Sequence, residues 1–143
     1  MKRVLAYLVT SIVLAGVLSA FTPIGVSNDV LNTIYTVAGV IFSVGMSIAI
    51  TPKTEKVTND KIRMAIRASY LAVRNSFMYL FGIGTILFVV AQAWEIKKYP
   101  TGLALLCAIF ILISIIHYIY NFVRLQKLGE EVEDQVLKEV EGK

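Results

Sequence analysis

Cysteine and histidine are nearly missing from this chain. There is one of each, Cys107 in "LLCAIF" and His117 in "SIIHYIY", and both fall in the same apolar stretch. A single cysteine excludes a disulfide within the chain, and the two residues together supply too few ligands for a zinc site of the usual His/Cys type. Cys107 reads as a small buried apolar residue. Carboxylates are absent from every long apolar run, which excludes a paired-carboxylate centre there. "FGIGTIL" lacks the third glycine of a dinucleotide loop, and "IFSVG" lacks the first glycine of a nucleophile elbow. The expectation is a non-enzymatic protein without a cofactor or metal.

Charge is also scarce, and its placement decides the solvent. Hydrophobic residues make up 57% of the chain, charged residues 17%, and the mean hydropathy is +0.71. That is more apolar surface than one soluble domain of 143 residues can bury. Four windows carry no charge at all: Val4–Asn28, Val30–Pro52, Asn75–Trp94 and Tyr99–Val123. A charge at the bilayer centre costs on the order of 3 kcal/mol, and about 20 helical residues cross a hydrocarbon core of roughly 30 Å. Spans are expected near 4–21, 30–50, 77–94 and 103–123. No segment shows the short apolar–polar alternation of a membrane barrel. The expected fold class is therefore all-α: a four-helix transmembrane bundle over 1–123, with a basic segment at 51–76, followed by an acidic amphipathic tail at 124–143.

Twelve of the fourteen lysines and arginines collect on one side of these spans: Lys2, Arg3, six between spans two and three, and four after span four. Only Lys97 and Lys98 fall on the other. The positive-inside rule then puts both termini on the cytoplasmic side of the membrane. Trp94 and Tyr99 at the outer ends, with Tyr79, Tyr118 and Tyr120 at the inner ends, fit interfacial anchors.

The third helix is longer than its span. Thr58, Asn59 and Asp60 suit an N-cap, and from there to Trp94 is about 35 residues, roughly 52 Å. Its first half must project from the membrane or lie along the headgroups. Lys61 precedes a face on which Arg63, Arg67, Tyr70 and Arg74 recur at helical spacing, with Ile62, Ile66, Ser69 and Val73 beside it. Lys61, Arg63, Arg67 and Arg74 are the candidate site for an anionic leaflet or a soluble partner. An ordinary loop obeying the positive-inside rule is the simpler reading of them, and direct nucleic-acid binding is not expected.

Small residues mark the first two spans. Ser11, Ala15 and Ser19 stand four apart in span one; Gly39, Ser43 and Ser47 do so in span two, where Gly45 and Ala49 form a parallel pair. Such faces let helices approach closely in lipid, so spans one and two are expected to pack together, within one chain or between copies of a homo-oligomer. Span one also has the basic start and small-residue end of a signal peptide, with Val17 and Ser19 at the cleavage positions; its length favours retention.

In span four His117, Asn121 and Arg124 share a face at i, i+4 and i+7 near the cytoplasmic end. Buried polar groups need partners, which Ser or Thr on a neighbouring helix would supply. A structural hydrogen-bonding role and a proton- or ion-linked role both fit, since histidine titrates near neutrality. Val132, Val136 and Val140 give the acidic tail a narrow apolar stripe, and Gly129 is expected to separate that short helix from span four.

Four spans, a basic stretch leading into the third, and a final span ending "ISIIHYIYNFVRLQKLGEE" resemble the small membrane protein of the phage lambda Rex exclusion type. There too a histidine precedes an aromatic-rich exit, matching His117, Phe122 and Leu125; the acidic tail here is longer. The resemblance implies a membrane effector or partner-binding subunit in antiphage defence, ion-conducting once triggered. A toxin-immunity protein, or a scaffold recruiting a soluble cytoplasmic partner, are the alternatives.

Overall fold

The computed structural model describes residues 2–21, 26–50, 60–95 and 101–141. Lys53, Lys56, Thr58, Asn59, Lys97, Lys98, Tyr99 and Lys143 lie outside the described residues. Four helices account for nearly all of the rest: α1 (Lys2–Phe21), α2 (Asn28–Ile50), α3 (Asp60–Glu95) and α4 (Thr101–Glu141). The all-α expectation holds. Three of them, α2, α3 and α4, are long and apolar enough to cross a membrane. The apolar part of α1, Leu5–Phe21, is shorter and sits at the lower limit of what spans.

Local chemistry sets the ends. Ser27 caps α2: its carbonyl accepts from the Leu31 amide at 3.0 Å and its hydroxyl from the Val30 amide at 3.4 Å. Asp29 and Asp60 place negative charge in the first turns of α2 and α3.

The central element is α4. Half of its apolar window is buried, against 17% for α2 and 22% for α3. Cys107, Ala108, Ile109, Phe110 and Ile111 are buried consecutively, which a helix achieves only with neighbours on all sides. α1 packs on α4 and barely meets α3, while α2 packs on both α3 and α4. Among the described residues α1 and α2 make no contact, so the expected pairing of spans one and two does not occur within one chain.

The small-residue faces are redistributed accordingly. Ser11 and Ala15 are buried as expected, but the partner is α4, where Leu105 and Ile109 meet Ala15. Ser19, Ser43 and Ser47 are exposed and Gly39 is half-exposed, so the Gly39–Ser43–Ser47 stripe faces away from the bundle. The buried side of α2 instead carries Leu31, Ala38, Gly45 and Ala49. A Cβ at Gly45 would overlap the fully buried Phe77 ring, so glycine is what lets α2 and α3 close. Further along that seam Phe42 stacks on Phe81 with centroids 4.2 Å apart, and Tyr35 on Phe88 at 4.1 Å. Tyr118, expected as an interfacial anchor, is a core residue against Phe77 and Phe42; Tyr79 and Tyr120 are exposed.

α3 and α4 both outrun the membrane. At about 1.5 Å per residue, 36 and 41 residues reach roughly 54 and 61 Å. The excess of the two helices stays paired: Ile66, Tyr70 and Val73 of α3 share a core with Leu125 and Val132 of α4. This corrects two expectations. Ile66 and Val73 of the apolar stripe beside the arginines are buried against α4 and not free for lipid, while Ile62 stays exposed, and Gly129 does not break α4. A mid-helix glycine costs only about 1 kcal/mol, and the packing of Leu128 and Val132 on that shared core offsets it. The Gly129 position also lies close to the Tyr70 hydroxyl.

Candidate functional site

A groove of about 1200 Å³ runs between α3 and α4 on the side away from α2, and the polar face read from span four opens into it. His117, Asn121 and Arg124 all line it. Helical rise gives the reason: residues four and three apart stack on one face of α4. α3 supplies the opposite wall with Asn75 and Ser76, and with Ala68 and Ala72, whose small side chains leave the volume empty.

His117 is the point where three helices meet. It is 6% exposed, and Asn121 is 3% exposed. Tyr7 of α1 stands 3.0 Å from Nδ1, and Ser76 of α3 stands 2.9 Å from Nε2. Asn121 donates from Nδ2 to the His117 carbonyl at 2.8 Å, and the same amide nitrogen is 3.0 Å from Nε2. The Tyr7 and Ser76 hydroxyls each donate or accept, so they can meet either ring nitrogen of the imidazole in either role. A neutral imidazole satisfies these contacts. The Tyr7 and Phe77 rings approach it edge-on, with centroids at 5.3 and 6.3 Å.

Ser76 and His117 stand at the distance of a nucleophile and its base. Two features favour a structural role. The group on Nδ1 is a tyrosine hydroxyl where a catalytic pair has a carboxylate, and the Asn121 amide nitrogen competes with the serine for Nε2.

The basic residues are divided differently from their spacing. Lys61 and Arg67 are exposed, and Arg63 bonds Asp60 one turn earlier. Tyr70, read on the same face, is core. Arg74 is half-buried with its Nε unpartnered, at the edge of the packed seam. None of the four lines the groove. Its cations are Arg124 and Lys127, with Glu131 one turn beyond.

Tyr7 and Ser76 carry the site and were not singled out by sequence reading, although Ser76 is the neighbouring-helix hydroxyl that a buried histidine calls for. A second polar clamp lies towards the other end, where Gln92 donates to Asn32 at 2.9 Å and the Tyr35 and Thr85 hydroxyls meet at 2.9 Å. No family model matches the chain, and comparison with curated proteins and with solved structures finds no match.

Proposed function

We propose that this chain is a non-enzymatic protein of the bacterial inner membrane, with both termini cytoplasmic, that acts as the partner-binding subunit of an antiphage exclusion system. The observation that carries the partner-binding part is the paired projection of α3 and α4. Two helices held together by Ile66, Tyr70, Leu125 and Val132 form a stalk beyond the apolar windows, and Lys61, Arg63 and Arg67 stand on its surface. A soluble protein with an acidic face is the complementary partner. The asymmetry of lysine and arginine supports the orientation, and the likeness of the last span to the Rex type supports the exclusion role.

Conduction, in this reading, belongs to an assembly of copies. The interior of one bundle is filled by Phe77, Leu80, Phe110 and Tyr118. The outward Gly39, Ser43 and Ser47 stripe is the kind of surface on which copies pack in lipid.

The test is conductance of the purified protein in planar bilayers, with and without the product of the neighbouring gene, in wild type and in the K61E/R63E/R67E variant. Current that appears only with the partner and is lost in the variant is the expected result. Arg74 is spared because reversing it would disturb the seam. A partner that binds the triple variant as well as wild type would sink the stalk reading, and a flat baseline throughout would sink the pore.

A further inference from the structure

We propose that the groove between α3 and α4 is a binding site for the headgroup of an anionic glycerophospholipid, with Arg124 and Lys127 holding the phosphate. This goes beyond the partner-binding reading and rests on membrane placement alone, so the two fail separately.

Depth is the first argument. On α3 the uncharged window starts at Asn75, directly after Arg74; on α4 it ends at Val123, directly before Arg124. Both boundaries fall within the groove, which reaches from His117 to Glu131 along α4, roughly 21 Å at the helical rise. One end therefore lies in hydrocarbon and the other in the headgroup layer. Exposed Tyr79 and Tyr120 flank it, as aromatic residues do at that level.

Charge is the second. Arg124 and Lys127 are exposed, and among the described residues neither has a carboxylate within ion-pair distance. A phosphate accepts from both. Glu131 repels a second anion but accepts from a hydroxyl, so the lining suits a phosphodiester carrying a hydroxylated headgroup better than a bare multivalent phosphate. Asn75 and Ser76 add polar contacts on the α3 wall.

Room is the third. The volume exceeds what a small ligand usually needs, leaving space for the first carbons of an acyl chain, which leave past Tyr120 and Val123. The arginines of the opposite flank of α3 have no such enclosure.

The experiment places the full chain in nanodiscs of phosphatidylcholine with a minority of phosphatidylglycerol, transfers it to mild detergent, and counts retained lipids by native mass spectrometry. Wild type is expected to retain phosphatidylglycerol in preference to phosphatidylcholine. R124Q/K127Q is expected to lower that retention by on the order of tenfold. A72L, which fills the groove without touching a charge, is expected to lower it as well, whereas R63Q/R67Q leaves it intact. Circular dichroism checks that each variant is folded. Undiminished retention in R124Q/K127Q or in a folded A72L overturns the site. Loss in R63Q/R67Q moves lipid binding to the other flank and overturns it too. Displacement of the lipid by inorganic phosphate would make this a free-anion pocket instead.

Discussion

The two seams that α3 makes with its neighbours are built from similar small residues and end up opposite in character. Towards α2, Gly45 meets Phe77, Phe42 stacks on Phe81, and the interface is closed and aromatic. Towards α4 at the charged end, Ala68 and Ala72 are exposed, and the interface opens into a polar groove. A small residue brings helices together only when a large side chain across the seam fills the space it leaves. Without one, it makes a cavity. Tyr7 and Ser76 on His117 keep the open seam from collapsing, because their hydrogen bonds fix the spacing of three helices.

Substitutions at the seams break or sharpen this contrast. The largest effect is expected at the closed one: Gly45→Ala drives a methyl into Phe77 and destabilises by about 2 kcal/mol in a denaturant titration in micelles. Adding Phe77→Leu makes room and recovers part of that, giving a coupling of about 1 kcal/mol in the double-mutant cycle. Additive losses would mean the ring does not close the seam. At the head of the open seam, His117→Leu leaves Tyr7, Ser76 and Asn121 without their shared acceptor and donor. A loss of about 1.5 kcal/mol is expected, together with faster amide exchange at the start of α1. Unchanged exchange there would detach α1 from the histidine. Smallest is Ala72→Leu within the groove, expected to shift stability by no more than about 0.5 kcal/mol, because the added carbons enter empty space. A loss matching that of Gly45→Ala would show the groove to be closed.

The windows free of charge foretold where the helices run, and the overlong third helix followed from the distance between Asp60 and Trp94. Which side of each helix turns inward was not legible. In lipid both sides of a span are apolar, so Gly39, Ser43 and Ser47 look as good a packing face as Ala38, Gly45 and Ala49, and only the neighbour carrying Phe77 distinguishes them. Gly129 read as a break because local propensity knows nothing of the α3 residues that cover it. The polar face of His117, Asn121 and Arg124 was visible because its spacing is local. Tyr7 was not, since 110 residues separate it from the histidine.

The position of α4 also sets an order of events during synthesis. Among the described residues α1 touches α3 only slightly and α2 not at all, while every other helix leans on α4. Of these four helices, the one translated fourth is thus the one the first packs on. Until residue 101 and its successors leave the ribosome, α1 has only its slight contact with α3 to hold it. A nascent chain stopped short of α4 should leave Ser11 and Ala15 facing lipid, a recognisable substrate for membrane quality control.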